Sequence, residues 1–205
     1  MPWSPIRDAM VHSTLVLLDY HDRHRELNWL DCSFQQLCAN ALQLLEAAEH
    51  LHMPVVVSLA QTPLQEAEWC GELRGRYPKI SPILRNQWNP WRTPAFQRAI
   101  RRTQRRHLIL AGMPVETILQ AVAISAVQDG YSVTAVLDAS GTESWQEWYE
   151  AIAWMEALGV SCLTTAEFLG KIQSSGYLPI APTNWERYIP QWYACWGAAA
   201  QCDWS

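Results

Sequence analysis

The sequence predicts a three-layer αβα sandwich, built on a mostly parallel six-stranded sheet with helices on both faces. Three observations lead there. Apolar runs of strand length alternate with amphipathic stretches of helix length along most of the chain. The runs are near-continuous rather than alternating, as expected of strands buried on both faces. The chain has 205 residues and 49% of them are hydrophobic, enough for one substantial core.

The elements follow in order. Thr14–Tyr20, "TLVLLDY", is a buried strand that ends on a carboxylate, Asp19. Phe34, Leu37, Cys38, Ala41, Leu42, Leu45, Ala48 and Leu51 recur at three- and four-residue steps and mark an amphipathic helix. Pro54–Ala60, "PVVVSLA", is a second buried strand. "LQEAEWCGELRGRY" is expected to be helical, and "ISPILR" to be a short strand ending at Arg85. "PAFQRAIRRTQ" is a helix with Pro94 in its first turn, where no N–H is needed. His107–Gly112, "HLILAG", is a third strong strand, and the stretch to Tyr131 is the next helix. "SVTAVLDAS" is a strand ending at Asp138. "SWQEWYEAIAWMEALG" is a helix with Ser144 as N-cap and Gly159 as its stop. "VSCLTT" is the last strand, and "AEFLGKI" the last helix.

Residues 1–176 are thus one α/β domain. Residues 177–205 break the alternation and are rich in proline and tryptophan. That density of aromatic groups outside any core pattern is expected to form an oligomer contact, from Trp185 onward. Net charge is −5 with no long run of one sign, so no nucleic-acid partner is expected. Arg101, Arg102, Arg105 and Arg106 are the one basic stretch and are read as a solvated helix end. No apolar segment is long enough to span a bilayer, and the first residues lack a secretory block, so a cytoplasmic address and no membrane partner are expected. The six cysteines show no CxxC spacing and are read as free thiols.

In open α/β sheets, ligands bind beyond the carboxyl ends of the strands. Here those ends carry Asp19, Tyr20, His21, Arg85, the Gly112–Ile118 turn and Asp138. A charge directly after "LVLL" is costly to bury unless paired, which singles out Asp19. Asp138 is read as holding the loop that follows it. His21 and His24 have loose ligand spacing, but no further cluster completes a site, so no metal and no cofactor are expected.

"LVLLD", "PVVVS", the basic residue of "PILRNQWNPWRTPAF", "HLILAG" with its helix, and "GYSVTAVLDASGT" occur in that order. Together they resemble the isochorismatase-like superfamily, the cysteine hydrolases, and within it the YcaC-like branch. The resemblance covers roughly residues 12 to 173 and implies a Rossmann-like αβα fold. It also implies an Asp–Lys–Cys triad. The Asp maps to Asp19 and the Lys to Arg85. The Cys stands thirteen residues before the aromatic of the "GY" stop; counted back from Tyr131, that is Ile118. The nucleophile is missing. Thr117 is adjacent, but one residue along a helix is a turn of about 100° away.

The resemblance also implies a cis peptide after "AG", here Met113–Pro114, and an oxyanion hole from two backbone amides, those of positions 114 and 118. Proline at 114 has no N–H to give. Losing one such donor costs about 3 kcal/mol in a transition state. Arginine in place of lysine stays charged and grips carboxylates in a fork, so Arg85 could lower the pKa of Asp19 or hold a substrate carboxylate. Two readings stand. In one, the protein is a non-thiol hydrolase or related enzyme dependent on Asp19, with Arg85 as partner. Its small ligand, aromatic or carboxylated, would sit among Tyr20, His21, Trp88, Trp91, Pro114, Thr117 and Ile118. In the other, it is a catalytically inactive relative, serving as a small-molecule-binding or oligomeric scaffold.

Overall fold

A computed structural model of the chain describes residues 12–27, 29, 32–61 and 67–174. Six strands form one sheet: β1 Ser13–Leu18, β2 Val55–Ala60, β3 Ile83–Arg85, β4 His107–Gly112, β5 Ser132–Val136 and β6 Ser161–Leu163. Their order is β3-β2-β1-β4-β5-β6, and every pairing is parallel. The helices are α1 Phe34–His50, α2 Gly71–Arg76, α3 Pro94–Arg102, α4 Gln120–Gln128, α5 Trp145–Ala157 and α6 Thr165–Gln173.

The alternation of side chains along β1 divides the core. Leu15 and Leu17 pack with Leu37, Leu44 and Phe168, under α1 and α6. Val16 and Leu18 point to the other face and pack with Phe96, Ile100, Val122 and Met155, under α3, α4 and α5. All six residues of β1 are buried, as a central strand covered on both faces must be. The strand order reverses between β1 and β4. The switch point therefore falls between Asp19 and the turn that follows Gly112, the place where such sheets bind ligands.

Caps stop and start the helices where the sequence places them. The Ser144 hydroxyl accepts from the Glu147 amide at 3.4 Å. Thr164 and Glu167 close a reciprocal capping box at the head of α6. Gly159 takes φ +85° just past α5. One expected helix is short among the described residues. Of residues 67–77 only Gly71–Arg76 is helical, and Trp69 forms an antiparallel bridge to His21. That bridge takes backbone groups that a helix would need, and two glycines weaken helix propensity in what remains. The tail, residues 177–205, lies outside the described residues, so the contact expected from Trp185 onward does too.

Candidate active site

Asp19, Ala60 and Arg85 stand at the carboxyl ends of three adjacent strands, β1, β2 and β3. Two strand spacings separate β1 from β3, roughly 10 Å, so only a long side chain can join them. Arg85 does so. Its Nη2 donates to Asp19 Oδ2, while its Nη1 donates to the carbonyls of Gln87 at 2.7 Å and Trp88 at 3.1 Å. The pair is sealed from solvent: Asp19 is 3% exposed and Arg85 2%.

The other carboxylate oxygen, Oδ1, accepts from the Ala60 amide at 2.6 Å and contacts His21 Nε2 at 3.3 Å. Asp19 adopts φ +58°, in the left-handed region that aspartate tolerates better than most residues. Burial alone would raise the Asp19 pKa. The hydrogen bond from His21, the Arg85 charge and the Ala60 amide outweigh it and hold the carboxyl below its ordinary value. Desolvation pulls the Arg85 pKa down, and the Asp19 carboxylate opposes that shift.

Beside this cluster is a second buried histidine. The rings of His21 and His24 meet edge to face at 5.3 Å, and His24 packs in the same way against Trp29 at 5.4 Å. Burial, with the neighbouring His21 and Arg23, pulls the His24 pKa down to about 4.

The turn after β4 carries the remaining positions. The Met113–Pro114 peptide is cis. One wide helical turn, Val115–Leu119, follows and runs into α4. Ile118 is 7% exposed and belongs to the core under α3, α4 and α5. Its amide donates to the Pro114 carbonyl at 3.0 Å, and the Leu119 amide to the same oxygen at 3.2 Å. Neither position can then supply an oxyanion donor: Pro114 has no N–H, and the N–H of Ile118 is spent inside the turn. Thr117 and Pro114 are half-buried. The turn is bolted to the loop before α5. The Val115 amide donates to the Gly141 carbonyl at 2.9 Å, and Glu116 accepts from the Thr142 hydroxyl at 3.0 Å and the Glu143 amide at 2.8 Å.

Four of the expected site residues are placed as follows. Tyr20 is fully buried and donates its hydroxyl to the Ala139 carbonyl. It is a core residue on the α1 side, in one cluster with Phe34 and Leu37. Trp91 is 6% exposed, packs against Phe96 and Tyr131, and donates its indole N–H to Asp129 at 2.8 Å. It ties the start of α3 to the end of α4. Trp88 is 59% exposed and reaches the cluster only through its carbonyl. Arg85 offers no fork to a substrate carboxylate, since both terminal nitrogens are engaged and only Nε is without a partner. Asp138 does not reach the loop directly after it but the head of α6: its carboxylate accepts from the amide and hydroxyl of Thr165, each at 2.7 Å. Sequence reasoning missed the Ala60 amide as a ligand of Asp19. A backbone donor leaves no trace in residue type.

The isochorismatase domain profile matches residues 13–167. Probable hydrolase YcaC of Escherichia coli (strain K12) is 30% identical over 104 residues, half of each chain. The chain thus spans about half the length of that curated relative. Over nearly the whole length the fold is that of the crystal structure of the Escherichia coli YcaC gene product, described as an octameric hydrolase of unknown specificity. The TM-score is 0.80, with 22% identity, 97% of this chain and 98% of that one. YcaC from Pseudomonas aeruginosa, seen with hexane-2,5-diol and covalent acrylamide, superposes with a TM-score of 0.75 at 20% identity, over 97% and 100% of the chains. The nicotinamidase of Staphylococcus aureus does so with a TM-score of 0.65 at 12% identity, over 75% and 99%.

Proposed function

The chain belongs to the isochorismatase domain family, and from that premise we propose that it transforms a small molecule by a route that uses no thiol, with Asp19 as the fixed carboxylate of the site and His21 as its base. The observation that carries this reading is the set of three donors on the Asp19 carboxylate: Arg85, His21 and the Ala60 amide. A carboxyl held ionised in this way is a poor proton donor near neutrality. It is therefore not the lone general acid that protonation of a vinyl ether would need. An ionised Asp19 instead requires the proton of His21 on Nε2. Nδ1 is left as the lone-pair nitrogen, able to take a proton from a water that attacks the substrate. The name of the Escherichia coli YcaC relative, a hydrolase, agrees with water as the nucleophile.

A second reading rests on a different observation. Asp19 and Arg85 satisfy one another, and the Ile118 amide is consumed in its own turn. That arrangement suits a relative that binds a ligand without transforming it. Turnover on a panel of small amides, esters and vinyl ethers separates the two. Asp19→Asn keeps the shape and removes the charge, and should cost at least about 100-fold if the pair is catalytic. Iodoacetamide should leave activity intact, because Ile118 offers no sulfur. Equal turnover by Asp19→Asn sinks the first reading. Saturable binding of panel members without turnover establishes the second.

Self-association is proposed as well. Helix α5 presents Trp145, Tyr149 and Trp154 at 42%, 57% and 63% exposure on an isolated chain. Aromatic groups exposed in this number suit a subunit contact, and the structural neighbour from Escherichia coli is octameric.

A further inference from the structure

Away from the proposed chemistry, three donor side chains meet at the junction of α1 and α2. Cys38 lies one turn into α1, Cys70 immediately precedes α2, and Glu72 is in the first turn of α2. Both sulfurs are buried and unlinked, and they are 3.5 Å apart. The two sulfurs and a Glu72 carboxylate oxygen all lie within 4.8 Å of one another. From this geometry we propose that Cys38, Cys70 and Glu72 form a binding site for one borderline-soft divalent cation of the zinc type, which would staple α2 to α1.

The sulfur separation excludes a disulfide and is compatible with a shared cation as well as with two thiols in contact. Two thiolates sharing a tetrahedral zinc at about 2.3 Å each are roughly 3.8 Å apart. A disulfide needs about 2.05 Å. The observed 3.5 Å is close to the first and far from the second. The donor chemistry agrees. Two sulfurs favour zinc over magnesium or calcium, which take oxygen ligands. Two sulfurs come from the interior and one oxygen from the rim, so a fourth position is left to water. The surroundings are built as well. The Cys70 amide is anchored on the Tyr20 carbonyl at 2.9 Å. Arg25 bridges Glu72 and Asp22, whose carboxylate also accepts from the Gly71 amide at 3.2 Å. Two thiolates and a carboxylate around a dication leave one net negative charge, and Arg25 stands beside it. Loading is balanced by loss of the two thiol protons, with no change of oxidation state. An occupied site would fix Cys70 next to Trp69, the residue that bridges His21.

The test is titration of the reduced full-length chain with cobalt(II), followed by displacement with zinc. One ion per chain is expected, with a thiolate-to-cobalt charge-transfer band and the intense visible bands of a tetrahedral site. Zinc should abolish both. Cys38→Ser and Cys70→Ser should each remove the charge-transfer intensity contributed by their sulfur. Each should weaken binding by more than the roughly 10–100-fold that loss of an outer-shell partner costs. Glu72→Gln lies at the rim and spares the core; it should weaken binding at least about tenfold. Cys162→Ser should change nothing. If the buried serine variants fail to fold, zinc should still protect Cys38 and Cys70 of the wild type from alkylation in mild denaturant. A cobalt spectrum without a thiolate band, undiminished binding by Glu72→Gln, or equal alkylation with and without zinc would overturn the site and leave a pair of packed thiols.

Discussion

Two buried side chains with depressed pKa values, Asp19 and His24, contribute to the response of this protein to acid, and they do so over different ranges. Asp19 contributes stability above its unfolded value near 3.9 and loses it as pH falls through its lower folded value. His24 acts earlier. It stays neutral in the fold down to about 4, while the unfolded chain takes up a proton near 6.5. Stability is therefore whole above about pH 6.5 and falls as pH drops toward 4. Between pH 7 and pH 5 the His24 share of that loss should be roughly 2 kcal/mol. His24→Phe keeps the edge-to-face packing and removes the proton, so it should lose less stability over that interval. Urea unfolding at the two pH values measures it. An equal loss in wild type and variant would show that His24 is charged in the fold. At this scale the sequence was informative where residue type carries the meaning. Asp19 and Arg85 stand out as charges at strand ends. It was silent about Ala60, whose contribution is a backbone N–H, and about the burial of Tyr20 and Trp91, because aromatic rings look alike in sequence whether they are exposed or fill a core.

Among the elements, β1 and β4 approach closely at Gly112. Leu18 and Gly112 are cross-strand partners. A Cβ on Gly112 would lie 2.5 Å from the Leu18 Cβ and 2.6 Å from its carbonyl oxygen. Neither atom is the end of a flexible side chain, so the strands themselves would have to part. Gly112→Ala should destabilise the chain by at least about 3 kcal/mol, the upper part of the range for overpacked cores. A denaturation midpoint equal to that of wild type would show that β1 and β4 can separate at no cost. The damage would fall between Asp19 and the Pro114 turn, so weakened ligand binding should accompany it. Most elements were legible because their apolar period fixes their type. The segment before α2 was not. Its composition suits a helix, but the bridge from Trp69 to His21 is a long-range contact, and local propensity yields to such contacts.

At the scale of the whole molecule, the exposed aromatic face of α5 predicts a homo-oligomer. Light scattering at micromolar concentration should give a mass several times the 23.4 kDa of one chain. Trp154→Glu and Tyr149→Glu together should shift it downward, since buried unpaired charges oppose association. A monomeric wild type would remove the proposal. What the sequence by itself determined is the order of strands and helices and the class of sheet, since each follows from periodicity. Only the tertiary structure decided the strand order β3-β2-β1-β4-β5-β6, the ionised state of Asp19, and the meeting of Cys38, Cys70 and Glu72. The physical reason is common to all three. Periodicity reports which side of its own element a residue faces. It does not report which distant element packs there, and both protonation and ion binding depend on atoms brought together from far along the chain.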